Sequence, residues 1–145
     1  MEGKTRLIII TGMSGAGKST AANYFEDKGF FCVDNLPLFL LPKIATLGSN
    51  GKGGYADTVV VVDIRERDLL KDLPSVLDEM KQNDIDYEIL FLDADDNTII
   101  RRYKETRRSH PLGKDYSFPD AIAKEREILA DIKARADYVI DNSNM

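Results

Sequence analysis

The chain has 145 residues, 43% of them hydrophobic and 31% charged, with a formal net charge of −5 and one cysteine, Cys32. That is the make-up of a single globular domain, and its acidic balance argues against a surface built to bind a polyanion. A lone cysteine excludes an internal disulfide and fits a reducing cytosol, and the longest apolar runs are far too short to cross a bilayer.

Residues 6–11 (RLIIIT) form a continuous β-branched run and predict a strand buried on both faces. Residues 18–28 show helical spacing through Ala21, Tyr24 and Phe25, with Gly29 as the stop signal. A second short strand is expected at 30–34 (FFCVD), then a helix or helical turns over 36–47, interrupted at Pro42. Residues 48–57 carry four glycines in ten positions and predict a flexible loop. The clearest strand is TVVVVDI at 58–64, followed by an amphipathic helix over 67–83 in which Pro74 marks the start or a kink. A fourth strand is expected at 87–93 (YEILFLD), and a helix over 97–108 behind an Asp-rich cap. A long helix over 118–136 and a fifth strand at 137–141 (DYVID) close the chain. Strands alternating with helices predict one three-layer α/β domain over 1–145, its parallel sheet covered on both faces. No helix remains to cover strand five, so the chain is expected to be a piece of a longer protein. No signal-peptide core precedes the first strand, and the expected location is cytoplasmic.

Between the first strand and the first helix lies GMSGAGKS, residues 12–19, which satisfies G-x-x-x-x-G-K-[ST] in the context that motif requires. Gly12, Gly15 and Gly17 let the loop curl, so that backbone N–H groups from Met13, Ser14 and Ala16 onward turn toward phosphate oxygens. The helix opening at Lys18 adds the positive end of its dipole. Lys18 is expected to reach the β- and γ-phosphates of ATP or GTP, and Ser19, with Thr20 behind it, to ligate Mg²⁺. No base-reading motif separates ATP from GTP.

P-loop proteins hold Mg²⁺ with a second carboxylate, an Asp closing an apolar strand. Asp63 ends VVVVD and Asp93 ends ILFLD. Asp95 or Asp96 is suited to cap the next helix, which gives the Asp93 cluster a competing use, so Asp63 is preferred. Asp34 and Asn35, in VDNLP, follow strand two at the edge where open α/β sheets bind ligands. They fit a turn and a γ-phosphate or acceptor side equally well. In RRYKETRRSHPL (101–112), Ile99, Tyr103 and Thr106 are expected toward the core, with Arg101, Lys104 and Arg108 on one outer side. Glu105 pairs part of that charge along the helix. Arg107 and Arg108 fall at the helix end, where their planar forks could close over a phosphate chain. No Cys and His constellation with metal-ligand spacing is present.

The P-loop, VDNLP, VVDIR and RRYKETRRSHPL together resemble the RapZ family, bacterial P-loop nucleotide-binding proteins that include an RNase adapter, over nearly the whole chain. The resemblance implies ATP or GTP binding and hydrolysis by an N-terminal domain, with a separate C-terminal domain following it. In enterobacterial members the full-length protein binds small RNA and directs an RNase to it, controlling amino-sugar synthesis. RNA and metabolite binding are implied chiefly for the C-terminal domain, and oligomerisation is possible. Carried over, residues 12–20 would form the nucleotide loop and Asp63 the Mg²⁺-side carboxylate. The element order is also similar to nucleoside and nucleotide kinases, which implies a strand order of 2-3-1-4-5 and places 142–144 near the nucleobase. A kinase acting on an acceptor near Asp34, and a nucleotide-binding scaffold without turnover, are the alternatives to a slow regulatory NTPase.

Overall fold

Unbroken runs of Val, Ile and Leu suit a parallel strand packed on both sides, and they build the centre of the sheet. The computed structural model describes residues 6–13, 16–34, 40, 41, 43, 57–62, 73–82, 86–106 and 118–141. Five strands, β1 (Arg6–Gly12), β2 (Phe31–Asp34), β3 (Asp57–Val61), β4 (Glu88–Asp93) and β5 (Tyr138–Asp141), pair in parallel in the order β2-β3-β1-β4-β5. That is the expected order. Ile9, Ile10, Val59 and Val60 have no exposed surface, and Ile89 and Phe91 of β4 continue the same core.

Four helices are described: α1 (Lys18–Asp27), α2 (Leu73–Gln82), α3 (Asp96–Thr106) and α4 (Phe118–Arg135). The step from β1 to β2 runs one way along the sheet, and the steps from β2 through β5 run the other way. Right-handed crossovers therefore put α1 on one face and α2, α3 and α4 on the opposite face, giving three layers. Asp95 starts α3, accepting a 2.7 Å bond from the Thr98 amide. Ile99 and Tyr103 turn inward as their spacing predicts, while Arg101 and Lys104 are exposed. Of the two candidate cap residues it is Asp95 that caps.

Two expectations are corrected. On α1 Lys18 and Ala22 are buried and Ala21 and Phe25 pack against the core as expected, but Tyr24 is exposed, standing edge-on to Phe25 at 5.5 Å. α1 lies against β1, β2 and β3 with Ala21, Ala22 and Phe25 packed on the core, while Tyr24 turns away. β3 ends at Val61, with the Val62 amide donating a 2.9 Å bond to Ile10 O, and residues 63 and 64 of the expected strand lie outside the described residues. The sheet is covered on both faces at its centre, but β5 is exposed at every position. The expected helix over 36–47 and loop over 48–57 fall almost wholly outside the described residues, Asp57 being described as the first residue of β3, and the stretch before Leu73 in which the third helix was expected to start lies outside them too. Among the described residues no helix is long and apolar enough to cross a membrane.

Candidate functional site

β1 delivers the chain to the phosphate-loop motif by pressing its last residue against β4. Gly12 pairs with Leu92 and has φ +142, and the Met13 amide donates to Leu92 O at 3.0 Å. A side chain at residue 12 would overlap the Leu92 carbonyl oxygen and lie 2.7 Å from its amide nitrogen. Only glycine admits this approach. The loop then closes on itself, the Ala16 amide donating to Met13 O at 3.1 Å, and α1 opens behind Gly17. Gly17 stands at the N-cap and has no side chain with which to cap the helix start, and the first amides of a helix suit an anion.

Lys18 is the buried cation of the site. Its Nζ donates to Gly12 O and Met13 O, each at 3.1 Å. The ammonium is thus seated on the carbonyls of the loop it serves. An ammonium has three donors, and a phosphate oxygen is a partner of the right charge for such a seated group. Ser19 and Thr20 follow in the exposed first turn of α1. Their hydroxyl oxygens are hard donors, and Mg²⁺ in such sites takes one or two protein oxygens plus phosphate and water, so the residues present fit that ion.

The structure brings together Gly12, Met13, Ala16, Gly17, Lys18, Ser19 and Thr20. Asp34 ends β2 at the same carboxyl edge of the sheet and is exposed. Ser14, Gly15, Asn35, Asp63, Arg107, Arg108 and residues 142–144 lie outside the described residues.

Asp93, the other carboxylate weighed for Mg²⁺, is engaged on both oxygens. Oδ1 accepts from the Ala94 amide at 2.8 Å and from Arg126 Nη1 at 2.9 Å, while Oδ2 accepts from Lys133 Nζ at 2.9 Å. Arg126 reaches on to Ala94 O at 2.7 Å and to Asp96 Oδ1 at 2.6 Å, and Lys133 Nζ stands 5.9 Å from the Phe91 ring centroid. The cluster ties α4 to the carboxyl end of β4, the strand that braces Gly12. A cavity of about 450 Å³ lies alongside, lined by Met13, Phe91, Leu129 and Val139 together with Asp93, Arg126 and Lys133. Sequence reasoning missed Arg126 and Lys133. Their spacing of seven, two helical turns, puts them on one flank of α4 beside the buried Leu129, which was the available signal.

Partial burial pushes the Asp93 carboxyl up, but the bonds from Lys133, Arg126 and Ala94 and the Arg126 charge outweigh it and hold the pKa below the usual value. The folded state therefore keeps this carboxylate charged at a pH where the unfolded chain protonates it. The resulting stabilisation is complete above about pH 3.9 and is lost as pH falls through the lowered folded value. Asp93→Asn is expected to cost about 1–2 kcal/mol at pH 7, since both cations are partly exposed. Urea midpoints should show that deficit shrinking below about pH 3.9. A deficit that is the same at pH 7 and pH 2.5 would count against the cluster.

Residues 5–145 match the family described as the RapZ-like N-terminal domain. A protein of Caldicellulosiruptor bescii named "Nucleotide-binding protein" is 55% identical over 141 residues, covering 96% of this chain and 48% of the relative. One of the same name from Myxococcus xanthus is 49% identical, with 97% and 48% covered. The chain thus spans about half the length of the relatives it matches. Among solved structures, a shikimate kinase from Bacteroides thetaiotaomicron superposes with a TM-score of 0.59 at 16% identity, covering 94% of this chain and 86% of that one. The tunicamycin resistance protein of Deinococcus radiodurans gives 0.62 at 15%, with 94% and 86% covered. A gluconokinase from Sinorhizobium meliloti gives 0.55 at 16%, with 96% and 83% covered. At such identities the likeness establishes the kinase-like P-loop fold.

Proposed function

The chain belongs to the RapZ-like N-terminal domain family, and from that premise we propose that it is a regulatory nucleotide-binding domain with slow, Mg²⁺-dependent hydrolysis of ATP or GTP. The observation that carries the reading is the Lys18 ammonium, seated on Gly12 O and Met13 O beside an uncapped helix start. The name borne by the relatives at 55% and 49% identity supports the ligand class. Residues 12–20 would cradle the phosphates, and Ser19 would ligate Mg²⁺. Commitment of both Asp93 oxygens to amide and cation partners favours Asp63 as the second carboxylate. Asp34 and Asn35 would face the γ-phosphate side, with Arg107 and Arg108 neutralising charge as it develops there. In the full-length protein the nucleotide state would be reported to the remaining half, where RNA and an RNase are the proposed partners.

The fate of γ-labelled nucleotide tests this. Incubated with Mg²⁺ and a panel of sugars and nucleosides, the full-length protein is expected to release labelled inorganic phosphate at on the order of 10⁻³ s⁻¹. Stoichiometric label on an acceptor would replace the NTPase with a kinase working near Asp34, and binding with no turnover would leave a scaffold. The Arg107→Ala/Arg108→Ala double variant is expected to lower kcat/KM by ~10-fold or more, about 1.4 kcal/mol of transition-state stabilisation. Unchanged kinetics would return both arginines to a solvated helix end.

A further inference from the structure

The phosphate loop takes its position from β4. Gly12 lies so close to that strand that a methyl would overlap Leu92 O, and the Met13 amide donates to the same oxygen at 3.0 Å. Lys18 is seated in turn on the carbonyls of Gly12 and Met13. A shift of the Leu92 backbone therefore moves both carbonyls and the ammonium they hold. Packed interiors transmit such a shift rather than absorb it. Whatever holds the carboxyl end of β4 thus sets the shape of the loop.

That end is acidic. Asp93, Asp95 and Asp96 stand within residues 93–96, and Asp93 pairs in register with Asp141 of β5. Like charges side by side in a sheet repel one another, and the same charge would repel a polyphosphate at the neighbouring loop. Arg126 answers both from the middle of α4. Its Nη1 donates to Asp93 Oδ1 at 2.9 Å and its Nη2 to Ala94 O at 2.7 Å. Nη2 and Nε also donate to Asp96 Oδ1, at 2.6 and 2.9 Å. One planar fork ties the last residue of β4, the turn after it and the first residue of α3. Lys133, a single amine, holds only the other Asp93 oxygen. With four bonds made by a five-donor guanidinium, little of Arg126 is left to hold a phosphate.

We propose that Arg126 is a positioning residue of the nucleotide site. By holding residues 93–96 as one unit it fixes Leu92, and through Leu92 the Gly12 and Met13 carbonyls on which Lys18 sits. Its effect lies in the shape of the loop and in the charge beside it, not in contact with the nucleotide. The inference rests on nucleotide binding by residues 12–20 and requires no turnover.

The test is the affinity of the full-length protein for Mg-ATP, by titration calorimetry at a temperature where circular dichroism shows each variant folded. Arg126→Gln is expected to weaken binding roughly 5–10-fold, a partial loss because Lys133 still holds one Asp93 oxygen. Arg126→Lys, the gentler change should the glutamine variant fold poorly, is expected to stay ~3-fold or more weaker than wild type, since one amine cannot span all three partners. Combined with Asp93→Asn, the loss from Arg126→Gln should fall short of the product of the two single losses, because both break the same bridge. Arg135→Gln removes another ion pair of α4, the 3.1 Å contact with Asp78 of α2, and should bind as wild type does. Wild-type affinity in Arg126→Gln would overturn the positioning role alone, whereas an unaltered protein that binds no nucleotide would overturn the nucleotide reading with it. Full recovery in Arg126→Lys would leave only a local charge, and an equal loss in Arg135→Gln only general support of α4. Either result would overturn the proposal.

Discussion

Lys18→Ala is expected to abolish measurable nucleotide binding while leaving the domain folded. The wild-type ammonium is held by Gly12 O and Met13 O at 3.1 Å, which fixes a buried cation beside the uncapped start of α1. Bonds from a charged group contribute about 1.5–3 kcal/mol each, and loss of one or two phosphate bonds lowers affinity by ~10²-fold or more. The stability change is a separate effect, because alanine removes the buried charge together with its donors but leaves the Gly12 and Met13 carbonyls without that partner. Titration calorimetry with Mg-ATP and Mg-GTP, alongside a circular-dichroism melt, separates the two effects. An affinity within twofold of wild type would remove the P-loop reading altogether. Loss of binding together with loss of the folded spectrum would show that Lys18 is a structural residue first.

The elements that could be read from the sequence are those whose cause is local. LIII and VVVV announce buried parallel strands, GMSGAGKS between a strand and a helix announces a phosphate loop, and the Asp95–Asp96 pair announces a cap, which Asp95 supplies to the Thr98 amide. What could not be read depends on partners distant in sequence. Asp63 and Asp93 end equivalent apolar runs, and spacing alone offers only a capping argument between them. Asp93 is distinguished by Arg126 and Lys133, which are 33 and 40 residues further on. Gly12 is legible as a motif glycine, yet the reason it must be glycine belongs to Leu92 on another strand. The exposure of Tyr138, Val139 and Ile140 runs against an apolar pattern that would be buried in an ordinary strand. Pattern marks a residue as apolar, whereas its burial depends on what the rest of the fold places over it.

Gly12→Ala is expected to destabilise the fold by at least about 3 kcal/mol, in the range reserved for severe core lesions. The added methyl would meet Leu92 backbone atoms at O, N and C, none of which has a rotamer through which to yield. Relief requires parting β1 from β4, which breaks the 3.0 Å bond from the Met13 amide to Leu92 O and the Gly12–Leu92 rung. Gly29 provides the control. Its φ of +95 is left-handed too, but nothing lies within 4 Å of the position a methyl would take. Gly29→Ala should therefore cost only backbone strain, about 1–2 kcal/mol. Urea unfolding of the two variants, fitted with a common slope, measures the difference. If Gly12→Ala is as mild as Gly29→Ala, the close approach of β1 to β4 is not what holds the loop. The functional signature separates the sites further. Gly12 O is one of the two carbonyls that seat Lys18, so residual folded Gly12→Ala protein should bind nucleotide weakly. Gly29→Ala, at the far end of α1, should bind it as the unaltered chain does.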